Sequence, residues 1–273
     1  MKDELLELER GGRIRVRVGG EGPGLILLHG FASGIDGWPP AELERLARRR
    51  RVVAVDLPGH GRSGPARPGD ATPERLVGLL ETVRLRCLDD SPPTLLGYSM
   101  GARLALTALA AGLPIRRLLL ESANPGLESD AERVRRARWD EQWAMRFASD
   151  PPATTLDAWL AQPIFTSRAA LSPEAARHQR RVRESADFSS LSTFMREFGT
   201  GRMPSTWDAI ARAPVPMRLL VGALDARYVA LSERIRERGA DVLVEAVEGV
   251  GHAPHVESPR RWGRWVDAEA PSA

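Results

Sequence analysis

The 273-residue sequence predicts an α/β fold: a mostly parallel central sheet that begins with an antiparallel hairpin and carries a helical insertion. Three observations predict it. Short, mostly unalternated apolar runs recur between helix-patterned segments, as expected of strands buried on both faces and joined by right-handed helical crossovers. The apolar run Thr94-Leu95-Leu96 leads directly into Gly97-Tyr98-Ser99-Met100-Gly101 and then into the helix-prone stretch Ala102 to Ala111. Residues 122–213 hold several helical patterns and no convincing strand, so they break the alternation.

Taken in order, Leu5 to Glu9 and Ile14 to Val18 alternate polar with apolar residues around Gly11-Gly12, which predicts the hairpin. Leu25 to Leu28, Val52 to Val55, Thr94 to Leu96, Leu118 to Leu120, Arg218 to Val221 and Val242 to Val247 predict central strands. Helices are expected at Ala41 to Arg49, Pro73 to Leu88, Ala102 to Ala111 and Leu231 to Arg238. Within the insertion they are expected at Ala131 to Ala148, Leu156 to Gln162, Pro173 to Glu184 and Leu191 to Glu197. The domain reading is therefore a core of residues 1–121 and 214–273 with a helical cap, 122–213, over the carboxyl ends of the strands, where open α/β sheets bind ligands.

Composition narrows the function. Hydrophobic residues at 42% and charged residues at 27% are ordinary for a globular chain and argue against disorder. No stretch approaches the length of a membrane span and no signal peptide is evident, so a cytoplasmic location is the expectation. The single cysteine, Cys87, cannot form an internal disulfide. A pI near 9.7 suggests nucleic acid, but the net charge is only +3 and the basic residues are arginines apart from Lys2, interspersed with acids. No nucleic-acid motif and no metal-ligand cluster is present, and the glycine-rich loops are not phosphate cradles, so no cofactor is expected.

The chemistry is carried by Ser99. A serine where a buried strand turns sharply into a helix is lifted out of the sheet, with the following N–H at a positive helix end. It needs a base, and the base needs a group that fixes its tautomer. His252, in Gly249-Val250-Gly251-His252, follows the last expected strand, and Asp225, in Gly222-Ala223-Leu224-Asp225, follows the one before. The N–H groups of Phe31, in His29-Gly30-Phe31, and of Met100 are expected to form a two-donor oxyanion hole. His60 is read as holding its loop, His29 as both structural and site-shaping, His255 as leading into a C-terminal helix, and His178 as solvated.

These blocks, with Asp56 to Ser63, resemble the α/β-hydrolase superfamily over essentially the whole chain, in the order Ser99, Asp225, His252. Gly97 to Arg103, Glu121 to Leu127, Asp140 to Phe147, Trp159 with Gln162 to Phe165, and Phe198 to Gly201 further resemble the 2-succinyl-6-hydroxy-2,4-cyclohexadiene-1-carboxylate synthases of menaquinone biosynthesis. The resemblance implies a lyase that eliminates pyruvate from a small polycarboxylate, with serine as relayed base and no acyl-enzyme. It also implies a substrate-binding set of His29, Tyr98, Arg103, Arg136, Trp159, Arg183 and Arg227. Arginine suits three carboxylates in a partly dry cleft, because its planar fork binds bidentately and stays charged. Arg103 lies one helical turn after Ser99. Arg133, Arg135, Arg138, Arg177, Arg180 and Arg181 are expected on solvated helix faces, and Trp139, Trp143 and Phe147 on one packed face. Two other readings fit the same residues: an esterase or carbon–carbon bond hydrolase, and a non-catalytic ligand-binding protein of this fold. The sequence leaves the oligomeric state open.

Overall fold

Among the residues described by the computed structural model, 1–8 and 11–268, eight strands form one sheet. They are β1 (Lys2–Glu7), β2 (Arg13–Gly19), β3 (Gly24–Leu28), β4 (Arg51–Val55), β5 (Thr94–Tyr98), β6 (Arg117–Glu121), β7 (Met217–Gly222) and β8 (Val242–Val247). Their spatial order is β1-β2-β4-β3-β5-β6-β7-β8; β1 and β2 pair antiparallel, β2 meets β4 antiparallel, and the rest run parallel. The expected hairpin is present, although Glu9 falls outside the described residues. Lys2, the single lysine, is exposed on the outer edge strand.

Continuous apolar runs became the inner strands β3 to β7 because both faces of the sheet are covered there; Val242 to Val247, expected as a central strand, is instead the edge strand β8, with Leu243 exposed. Ile26, Leu28, Leu95, Leu118, Leu120 and Leu219 pack on one side against α2 (Pro73–Cys87) and α3 (Met100–Ala110). The alternate residues Leu25, Leu27, Leu96, Leu119 and Leu220 pack on the other, with Trp38, α1 (Pro40–Leu46) and α11 (Pro259–Asp267). Each fully buried leucine contributes roughly 1.5–3 kcal/mol, so these two layers dominate the stability of the sheet.

Between β6 and β7 lie α4 (Asp130–Ser149), α5 (Pro152–Leu160), α6 (Pro173–Glu184), α7 (Phe188–Phe198) and the short α8 (Trp207–Ala211). Side-chain caps start three of them: Ser129, Ser172 and Asp187 accept from Glu132, Ala175 and Ser190 N–H groups. Trp143, Phe147, Trp159, Leu191 and Met195 form their apolar face and enclose Ala32 and Phe31 of the loop after β3. The chain leaves and re-enters the sheet at one place, where the Thr206 N–H donates to Pro125 O at 2.8 Å and the Trp207 indole to Gly126 O at 3.2 Å. His178 is not simply solvated as expected: it donates to Asp36 O at 2.8 Å and, with Gln179 on Gly37 O, sews α6 to the core.

Helix α9 (Ala226–Arg238) begins five residues earlier than expected, where the Asp225 side chain caps it. Pro254–Glu257 forms one further short helix, α10. Among the described residues no helix is long and apolar enough to cross a membrane.

Candidate active site

Ser99 follows β5, Asp225 follows β7 and His252 follows β8, so three residues distant in sequence meet at the carboxyl edge of the sheet. Ser99 adopts φ 50°, ψ −104°, a conformation that costs a side chain on the order of 1–3 kcal/mol. The strain is held by bonds on both sides: Ser99 N–H donates to Glu121 O at 2.9 Å, and Arg103 N–H to Ser99 O at 3.0 Å. Close approach explains the flanking glycines. A Cβ at Gly101 would run into the Leu28 carbonyl and one at Gly97 into Gly101.

His252 Nε2 lies 3.0 Å from Ser99 Oγ, and its Nδ1 lies 2.7 Å from Asp225 Oδ2. A carboxylate only accepts, so Nδ1 carries the proton and Nε2 is free to take the serine proton. The imidazole is 3% exposed and wedged between the rings of Tyr98 and Tyr228, at 5.5 and 4.6 Å. Phe31 and Met100 both line the adjoining cavity, and the N–H of neither donates to another protein group among the described residues. Two free donors beside a serine can hold an oxygen that gains negative charge.

The cavity measures about 710 Å³. Its walls carry Tyr98, Trp159, Arg103, Arg136, Arg183 and Arg227, six of the seven substrate-binding candidates. His29 is the exception. It is 1% exposed and lies off the cavity, with Nε2 accepting the Leu57 N–H at 3.0 Å and Nδ1 donating to Gly30 O at 2.7 Å. Both nitrogens are occupied by backbone, and burial lowers its pKa, so His29 is a neutral loop brace and does not face a ligand. His60 is likewise internal, bonded to Pro58 O and pushed down to about 3 by burial and by its neighbour His29. His255 bonds Glu121 at 2.7 Å beneath the site.

The arginines divide by partner. Arg136 already holds Asp140 at 2.7 Å and stacks on Trp139, so its charge is largely met. Arg227 is exposed at the rim. Arg103 and Arg183 are different, because neither has a carboxylate within ion-pair distance among the described residues. Arg103 donates to Phe198 O at 2.7 Å, and burial with the nearby Arg136 pushes its pKa down to about 10. Arg183, 4% exposed, donates to Gln179 and leaves its Nε without a partner; burial, then Arg168, pushes it down to about 10. Buried cations left unpaired carry a cost that an anion in the cavity offsets.

Sequence reasoning passed over several residues of the site. Arg135, expected on a solvated face, lines the cavity with Glu132. Arg168 borders a small side pocket shared with Arg183, Tyr98 and His252, and its pKa is lowered by burial. One arginine among 38 has no distinguishing local pattern, so no sequence signal marks either. Phe165 and Phe198 complete the aromatic wall. Among the described residues no group of three or more metal-ligating side chains converges.

A family model described as the alpha/beta hydrolase family matches residues 25–264. The 2-succinyl-6-hydroxy-2,4-cyclohexadiene-1-carboxylate synthase of Photorhabdus laumondii is 31% identical over 236 residues, spanning 85% of this chain and 80% of that protein. The protein of the same name from Salmonella typhimurium is 29% identical over 238 residues, spanning 87% and 89%. The solved structure of MenH from S. aureus aligns with a TM-score of 0.87 at 26% identity, covering 93% of this chain and 96% of that one.

Proposed function

We propose that this chain, which belongs to the alpha/beta hydrolase family and within it groups with the 2-succinyl-6-hydroxy-2,4-cyclohexadiene-1-carboxylate synthases, eliminates pyruvate from 2-succinyl-5-enolpyruvyl-6-hydroxy-3-cyclohexene-1-carboxylate. The observation that carries this reading is the pair of enclosed guanidiniums, Arg103 and Arg183, that have no carboxylate partner among the described residues, beside the hydrogen-bonded Ser99–His252–Asp225 set. The substrate carries three carboxylates, and the aromatic wall matches its cyclohexene ring. Five arginines and two acids line the cavity, and one of those acids, Asp225, is committed to His252. A polyanion is therefore drawn in.

In this reading residues 122–213 act as a cap on the core formed by 1–121 and 214–273. Ser99, relayed by His252, removes the ring proton α to the succinyl ketone. The electrons form the 2,3 double bond, shift the 3,4 double bond to 4,5, and expel the C5 oxygen as the enolate of pyruvate. That enolate takes up a proton, so substrate becomes diene plus pyruvate. The Phe31 and Met100 N–H groups hold the ketone oxygen while it bears negative charge. No bond to Ser99 forms.

The test is pyruvate release, followed by a dehydrogenase-coupled assay on addition of the enolpyruvyl substrate. Stoichiometric pyruvate and diene are expected. Fast turnover of simple esters with no pyruvate would replace the lyase with a hydrolase, and binding with no turnover of either would leave a ligand-binding protein.

A further inference from the structure

The loop that carries His252 is gripped by a carboxylate that the scheme above does not use. Glu257, the last residue of α10, accepts the Gly251 N–H at 2.7 Å on Oε2 and the Ala253 N–H at 3.2 Å on Oε1. These two amides flank His252. The Ala253 N–H lies in the peptide unit that follows His252 and the Gly251 N–H in the unit just before Gly251, so the grip brackets the stretch of backbone that sets the direction of the imidazole. Oε1 also accepts the Ser167 hydroxyl at 3.1 Å. Ser167 belongs to the 3₁₀ segment Pro163–Ala170 between α5 and α6, which brings the Phe165 ring to 6.4 Å from His252. The contact is close enough that a Cβ at Gly251 would run into Ser167.

We propose that Glu257 is a positioning residue: it fixes the backbone around His252 so that Nε2 meets Ser99, and through Ser167 it makes that alignment depend on the seating of the Pro163–Ala170 segment. The inference deepens the function proposed above and rests on it only for the identity of the substrate. Three donors converge on one acceptor-only group. A glutamine of the same size offers one acceptor oxygen and an NH₂ that meets a backbone N–H donor to donor. Glu257→Gln therefore breaks the grip without opening a cavity. Misplacing a reacting group by about 1 Å costs on the order of 100-fold in rate.

Two readouts separate this from general destabilisation. Labelling of Ser99 by a fluorophosphonate needs the relay and no substrate; in Glu257→Gln it is expected to slow at least tenfold while circular dichroism is unchanged. The far-downfield proton signal of the His252 Nδ1–H to Asp225 bond is expected to be present in the parent and broadened or shifted in the variant. In turnover, kcat falls and KM stays within twofold. Ser167→Ala, which removes only the bond from the inserted segment, is expected to fold and to slow labelling two- to fivefold. Parental labelling and an unchanged signal in Glu257→Gln overturn the proposal. Should Glu257→Gln fail to fold, parental labelling by Ser167→Ala overturns it. Brisk labelling of a parent that releases no pyruvate overturns the substrate assignment and leaves the role of Glu257 standing.

Discussion

Replacing Arg183 by methionine should stabilise the ligand-free protein and weaken its hold on substrate. Among the described residues the guanidinium, 4% exposed, has no carboxylate partner, and its Nε is unbonded. Burial, with the nearby Arg168, pushes its pKa down to about 10, and holding a cation out of water without a counter-charge costs on the order of several kcal/mol. Methionine has similar reach, carries no charge and packs readily beside Tyr98 and Phe165. Allowing for the lost bonds to Gln179, a net gain of about 2 kcal/mol is expected, or roughly 4–8 °C in Tm for a chain of this size. Substrate loses a charge-assisted contact of about 1.5–3 kcal/mol, which raises KM roughly 10- to 150-fold. Calorimetry of the free protein and coupled pyruvate kinetics read the two effects separately. A lower Tm with an unchanged KM would refute the reasoning, since the arginine would then be structural and the cavity would not require an anion.

Ser99→Ala and His252→Ala should each lower kcat by about 10³-fold or more with little change in KM, because they act on the proton and not on the carboxylates. Asp225→Asn should lower kcat similarly, as an amide cannot hold the Nδ1–H tautomer; a kcat within tenfold of the parent would remove Asp225 from the relay. Acid should destabilise the fold through its two enclosed histidines. His29 and His60 have pKa values lowered by burial, that of His60 to about 3, whereas in the unfolded chain they titrate near 6.5. The unfolded state therefore binds more protons below pH 6.5, and stability falls by roughly 1.4 kcal/mol per pH step for His60 from 6.5 towards 3. Above 6.5 these groups contribute no slope. Urea melts across this range should show the slope, and His60→Asn should flatten it.

The inner parallel strands β3 to β7 were legible because both their faces are buried, which leaves a short apolar run in each; β8 keeps such a run although it closes the sheet as an edge strand. The meeting of Ser99, Asp225 and His252 was legible too: a glycine-flanked serine after one strand, and an aspartate and a histidine after two later ones, are brought together by topology. Helix starts were less so. Phe188 and Ala226 begin α7 and α9 behind caps from Asp187 and Asp225, three and five residues before the expected starts. What the sequence concealed was direction. His29 stands beside Phe31 in sequence, yet its ring turns inward to the Leu57 amide while Phe31 reaches the cavity. Arg135 and Arg136 are neighbours, and Arg136 is bound by Asp140 while Arg135 is not. Glu257 and Ser167, 90 residues apart, meet only through the arrangement of the inserted helices.

Guanidinium is the sole cationic side-chain chemistry around the cavity, and the chain's one primary-amine side chain, Lys2, projects from the outermost strand four positions along the sheet from β5. At about 4.8 Å per strand that is roughly 19 Å. Amine-directed coupling to a solid support or a dye is thus steered by composition to the hairpin edge, away from the strand that leads into Ser99.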